Sequence, residues 1–208
     1  EVYAFVLNNA DRLKHFIREA MAYELAQLQL DVKSISENEF RIPQSCLFTY
    51  NGDLKTQIEY KKNVYQGYLS SAAPRSTPEL KFEKFCERSE NVEWWYKNGD
   101  KGNEYLSIVY TDNSEKQKLS YPDHIICVDG ESWIIATKGG CDRSGNSQDI
   151  DKYTAKKFGV LKAYLEKYGL KGGIVRNDDS TDELCICMEN YSDDIQSDDW
   201  KLLEETLK

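Results

Sequence analysis

The sequence predicts an α/β domain with a mixed central sheet flanked by helices. Helical and strand-like periodicities follow one another from residue 77 onward in the order helix, strands, helix, strands. Asp129-Gly130 sits between two apolar runs, the dipeptide of a tight antiparallel hairpin. A later helix, stopped by Gly169, precedes further strands, so hairpin and helix-linked connections belong to one sheet.

Taken in order, residues 10–30 carry Leu13, Phe16, Ile17, Ala20, Met21, Leu25 and Leu28 at three- and four-residue steps, an amphipathic helix. Asn8, Asn9 or Asp11 can cap it. Two short strand-like pieces follow at 39–42 and 46–50, the second closed by Asn51-Gly52. Residues 55–68 are polar and aromatic with no clean period. Ser, Ala, Pro and Thr then cluster at 70–78, which places a domain boundary there: a connector with its helix at 1–70, and the main domain at 71–208.

Thr77 can cap the next helix with Pro78 at its first position, and Leu80, Phe82, Phe85 and Cys86 form its inner side to about Ser89. Strands are expected at 105–110, 124–128 and 133–137. A loop with Gly139, Gly140 and Gly145 leads to a helix at 154–168, strands at 172–176 and 184–188, and a closing helix at 200–207.

The bulk composition bounds the function. With 208 residues, one ordinary domain fits, and there is no apolar run long enough to span a membrane and no signal-like opening segment. A start at Glu1 without methionine reads as a piece of something longer. The six cysteines form no CxxC pair and only two histidines accompany them, so they read as reduced core thiols of a cytoplasmic protein and not as a zinc site. Cys185 and Cys187 fall on one face of a strand. The net charge of −9 is unevenly spread: residues 138–176 hold nine Lys/Arg against four acids, a local excess of +5 compatible with contact to phosphates.

The chemistry is concentrated between Asp123 and Lys138. Asp123 opens one strand and Lys138 ends its hairpin partner, so antiparallel pairing brings the two together. Positions 136 and 138 differ by two and leave the same face. A carboxylate at 123, the side chain at 136 and an ammonium at 138 therefore converge. Two carboxylates and a lysine in such a place suit metal-assisted hydrolysis of a phosphodiester.

Pro122-Asp123, a spacer, and a strand ending in acid-x-Lys is the pattern of the PD-(D/E)XK nucleases, and the surrounding sequence resembles one branch of them. Arg75-Ser76-Thr77-Pro78-Glu79, Phe82-Glu83-Lys84-Phe85-Cys86-Glu87, Val92-Glu93-Trp94-Trp95-Tyr96-Lys97-Asn98-Gly99 and Thr137-Lys138-Gly139-Gly140 resemble the C-terminal nuclease region of type III restriction enzymes, in their restriction (helicase–nuclease) subunit. Ile42-Pro43, Lys62-Asn63-Val64-Tyr65 and Gly67-Tyr68 resemble the segment that joins motor to nuclease.

The resemblance implies a PD-(D/E)XK core at 71–208, a Mg²⁺-dependent endonuclease acting on double-stranded DNA. It implies Asp123 and Glu79 as metal ligands, with Glu83 as fallback, and Lys138 as the catalytic lysine. As partners it implies the helicase/ATPase region of the same full-length chain and a methyltransferase (modification) subunit that would hold sequence specificity. No ATP-motor motif occurs in these residues. The departure is Ala136, where the pattern has an acid. Loss of that carboxylate should leave the chain inactive, by engineered Glu→Ala replacement, by natural decay to a DNA-binding module, or with a ligand migrated to Glu131, Asp149 or Asp151. Arg143, Lys156 and Lys157 are candidates for phosphate contacts. Trp94, Trp95 and Tyr96 could stack on bases but read better as core residues, and His124 as packing on the face opposite Asp123.

Overall fold

The computed structural model describes residues 40–46, 58–69, 75–99, 105–111, 117–139, 150 and 153–208. The expected helix at 10–30, the Asn51-Gly52 turn, Cys141, Asp149, Asp151 and Arg143 lie outside the described residues.

Helix α1 (Thr77–Arg88) is started by Ser76 and not by Thr77. Ser76 is extended, its hydroxyl accepts the Glu79 N–H, and the Glu79 carboxylate returns to the Ser76 N–H at 2.6 Å. This reciprocal cap satisfies two N–H groups that Thr77 alone could not, and Pro78 still sits where its missing N–H costs nothing.

Strands β1 (Val92–Lys97), β2 (Ile108–Thr111), β3 (Gln117–Ser120), β4 (His124–Val128) and β5 (Glu131–Lys138) follow. Helix α2 (Thr154–Tyr168) then leads to β6 (Lys171–Asp178), β7 (Glu183–Cys187), β8 (Trp200–Leu202) and a short α3 (Leu203–Thr206). The six-stranded sheet has the order β1-β4-β5-β6-β7-β8, and β2 and β3 form a separate antiparallel pair. Only β5 and β6 run parallel, across the α2 connection; the other neighbours are antiparallel. A mixed sheet flanked by helices is therefore the architecture, as the order of periodicities implies.

Several elements differ from expectation: residues 40–42 carry no strand, and β1 and β3 were not among the expected strands. Residues 105–107 precede β2, which begins at Ile108. The closing helix expected at 200–207 divides into β8 and α3, because Trp200 and Leu202 pair with Cys187 and Cys185. That pairing meets the outer backbone groups of β7, and a helix there would leave them bare. Leu203 and Leu207, four apart, are buried in the core as one helical turn.

The faces of the sheet alternate as strand geometry requires. Trp133, Ile135, Ile126, Val175 and Ile186 pack with α1 residues Phe82, Phe85 and Cys86. Ile134, Ile125 and Ala136 face α2 residues Leu161 and Leu165 on the other side. Cys185 and Cys187 share one buried cluster with Ile174, Phe158 and Trp200. Trp95 and Tyr96 are fully buried, so these aromatics are core. Tyr60 and Tyr68 stand edge-on to Trp95, with ring centroids 5.1 and 5.5 Å away. Residues 58–69, on the connector side of the sequence boundary, thus share the core of α1 and β1.

Gly172 marks the tightest approach. Its φ is +146°, and a Cβ there would collide with the Ile134 carbonyl across the parallel pair. Gly172→Ala is expected to destabilise the fold by more than about 2 kcal/mol, measured by denaturant unfolding. A loss under half that would show that β5 and β6 are less closely apposed than described.

Candidate active site

The β4–β5 hairpin builds the site. Asp129 and Gly130 both have positive φ, 52° and 73°, the mirror-image turn that suits strand twist. Glu93 of β1 accepts the Gly130 N–H at 2.8 Å and steadies it. Register then follows strictly, from Val128 opposite Glu131 to His124 opposite Ile135. Asp123, one residue before β4, donates its N–H to the Ile135 carbonyl and accepts the Asn98 N–H on its own carbonyl, at 2.9 and 2.8 Å. Its Oδ2 accepts the Thr137 N–H at 2.6 Å and the Thr137 hydroxyl at 3.1 Å.

Asp123, Ala136 and Lys138 line one cleft of about 250 Å³ at the carboxyl end of β5, together with Lys157 of α2, Ser120 and Tyr110. The convergence expected from hairpin register is what the fold displays. Open α/β sheets present their ligand crevices at such strand ends. Of the other lysine candidates, Lys156 is exposed on the first turn of α2 and does not line the cleft.

Glu79 lies beside the cleft and not among its lining residues. One carboxylate oxygen accepts the Ser76 N–H and the other pairs with Lys97 Nζ at 2.5 Å. Burial works against the Glu79 charge, but Lys97 and the Ser76 N–H outweigh it and hold the carboxyl below its ordinary value. Its engagement is that of a first-turn helix acid. Lys97 also reaches the Asp123 carbonyl at 3.5 Å. Burial raises the Asp123 carboxyl above its ordinary value, against the pull of Lys97 and the Thr137 N–H.

A divalent cation is a poor match to this donor set. Among the described residues the cleft offers one carboxylate, with one of its oxygens already held by Thr137, and two lysines. Among the described residues no group of three or more His, Cys, Asp or Glu could hold a metal. Glu131, one of the possible substitutes for a ligand at 136, pairs with Lys171 at the far end of β5.

No family model matches the chain, and no curated protein matches it. The site's own chemistry is therefore the guide to its use.

Residues assigned no role by spacing alone complete the setting. Asn98, fully buried, donates to the Leu106 and Pro122 carbonyls at 2.8 and 2.7 Å and accepts the Leu106 N–H, which fastens the Pro122-Asp123 segment to the strand beneath. Lys97 stands opposite His124 in the β1–β4 register, and that pairing is the signal that could have found it.

Below Asp123, His124 turns to the other face, as alternation requires, and meets Glu83 of α1. His124 Nε2 lies 3.3 Å from Glu83 Oε1, and Arg75 Nη1 lies 3.1 Å from Glu83 Oε2, all three side chains nearly inaccessible. Burial, reinforced by the charges of Lys97 and Arg75, holds His124 well below its ordinary value, so it is neutral. Burial pushes Glu83 up from 4.5 to about 7 despite Arg75 and Lys97.

A carboxyl raised in this way keeps a proton in the native state that the unfolded chain has released. Its contribution is complete below pH 4.5 and is lost as pH rises to about 7. The stability difference between the parent and Glu83→Gln should thus fall, by on the order of 3 kcal/mol, across that window. His124 is common to both proteins and largely cancels. Urea unfolding at several pH values checks this, and a flat difference would refute it.

Proposed function

We propose that this chain carries a PD-(D/E)XK-type endonuclease domain of a type III restriction-type restriction subunit, in a form that no longer cleaves. The substrate is double-stranded DNA, and the acid-bearing form uses Mg²⁺. One observation carries the reading: Asp123, position 136 and Lys138 face a single cleft at the end of a β-hairpin, with Lys157 beside them. The mixed sheet with helices on both faces is compatible with such a core. The helicase/ATPase region of a longer chain and a methyltransferase subunit are the proposed partners, and the cytoplasm the proposed compartment. Among the described residues no helix is long and apolar enough to cross a membrane.

Within this reading the residues have separate tasks. Thr137 aims the Asp123 carboxylate, Asn98 fixes the backbone that carries it, and Lys138 offsets negative charge at a phosphate in the cleft. Ala136 removes the second acid, and no step through a metal follows from the residues present. The deciding experiment is plasmid cleavage by Ala136→Glu with Mg²⁺. A second reading, a non-catalytic DNA-docking module, is favoured by Lys138 and Lys157 both lining the cleft from different elements. It expects salt-sensitive DNA binding by the parent and no cleavage from the Ala136→Glu protein.

A further inference from the structure

The poor fit of a divalent cation to this place has a cause besides Ala136. β1 ends at Lys97, which stands opposite His124, so its side chain leaves the sheet on the face that α1 covers. There its Nζ pairs with Glu79 Oε1 at 2.5 Å and reaches the Asp123 backbone carbonyl at 3.5 Å. A carboxylate oxygen and a carbonyl oxygen are donor types that a hard cation takes from a protein. Both side chains of the ion pair are nearly enclosed, Lys97 14% and Glu79 13% exposed, so salt screens their attraction little. The second Glu79 oxygen accepts the Ser76 N–H, which fixes the carboxylate at the first turn of α1. Burial disfavours the charged forms of Glu79, Asp123 and Glu83 alike, and Lys97 is among the charges that oppose it in all three. One ammonium on β1 thus serves acids of α1 and of the segment before β4.

We infer that the Lys97 ammonium occupies the place of a divalent cation between Glu79 and Asp123, and that it keeps such a cation out of the chain as it stands. The inference rests on reading Asp123 as a cation-facing acid. It adds that Lys97, and not the missing acid alone, sets what the site accepts. Lys97 is a positioning residue, acting through Glu79 and the Asp123 backbone. Because the ammonium is tethered to β1, it competes at a high local concentration that a free ion must overcome. Its single charge and three N–H donors suffice for these two oxygens. Removing it leaves Glu79 uncompensated beside Asp123, an arrangement that a divalent ion neutralises.

The test is titration of the full chain with Mn²⁺, the free ion read by its electron paramagnetic resonance signal and binding also by the rise in melting temperature. The parent is expected to show no Asp123-dependent binding below about 1 mM. Lys97→Met, which keeps the side-chain length without the charge, should bind Mn²⁺ at least about tenfold more tightly than the parent. It should also be less stable than the parent in EDTA and recover stability with Mn²⁺. Adding Glu79→Gln or Asp123→Asn to Lys97→Met should each remove the gain. Lys97→Arg, which retains the charge, should bind no more tightly than the parent.

A folded Lys97→Met protein that binds Mn²⁺ like the parent overturns the inference, as does a gain that survives Glu79→Gln. Should Lys97→Met not fold, Lys97→Gln takes its place, and the parent still decides: micromolar binding lost in Asp123→Asn, with Lys97 intact, overturns the inference. The two readings separate. Cleavage by Ala136→Glu with no gain of Mn²⁺ binding in Lys97→Met leaves the nuclease reading standing and removes this one. A gain abolished by Glu79→Gln and by Asp123→Asn, without cleavage by Ala136→Glu, does the reverse.

Discussion

Ala136→Glu is expected to nick plasmid DNA in Mg²⁺ at least about 10²-fold faster than the parent chain. The gain follows from position. Residue 136 is two before Lys138 on β5 and shares its face, and both line the cleft with Asp123. A glutamate there puts a second carboxylate opposite one whose orientation Thr137 already holds. Two converging carboxylates are a usual protein contribution to a Mg²⁺ site, the remainder being water and phosphate.

The substitution should also cost stability in the absence of metal. Position 136 is half-buried and packs against apolar neighbours of α2, beside the Asp123 carboxyl. Mg²⁺ should therefore raise the melting temperature of Ala136→Glu and leave the parent unmoved. Adding Asp123→Asn or Lys138→Met to the variant should abolish the cleavage. A folded Ala136→Glu protein inert with both Mg²⁺ and Mn²⁺ would sink the nuclease reading.

The second large effect lies below the cleft. Arg75→Met is expected to destabilise the fold by about 3 kcal/mol, toward the lower end of what breaking a buried ion pair costs. Arg75 is inaccessible, paired to Glu83, and donates to the Tyr68 hydroxyl at 2.8 Å and the Leu69 carbonyl at 3.4 Å. Its guanidinium also stands 5.4 Å from the Tyr68 ring. Removing it leaves a carboxylate whose remaining neighbours are a neutral histidine and the Tyr60 hydroxyl. Glu83 can relieve this by holding a proton, which caps the cost. The melting temperature should fall by about 6–12 °C for a chain of this size. In a Glu83→Gln background the loss should shrink by at least about 1 kcal/mol, the signature of a coupled pair. A loss below about 1 kcal/mol in the parent background would show that Tyr68 and Leu69, and not Glu83, are the partners that matter.

Much of the frame was legible because its causes are local. The 154–168 helix appears with the expected bounds, closed by Gly169 in the left-handed conformation, since a glycine stop acts within one turn. The 124–128 strand is likewise as expected, because the hairpin turn dictates the register on both sides. What was hidden depends on contacts between elements distant in the chain. Residues 92–97 form a strand by pairing with β4 and, at Trp95, with Asn63. Glu83 reads as one more acid on α1, yet it is fully buried because His124 and Arg75 meet it there.

The candidate site divides along the same line. The sequence by itself determined that Asp123, position 136 and Lys138 share one end of a hairpin, since a two-residue turn and a period of two allow no other arrangement. It also places an alanine at 136, where the resemblance implies an acid. Tertiary structure alone decided that α2 brings Lys157 to that place, and that Lys97 and the Ser76 N–H take both oxygens of Glu79. Those outcomes turn on packing and charge across elements, and no local rule of the backbone contains them.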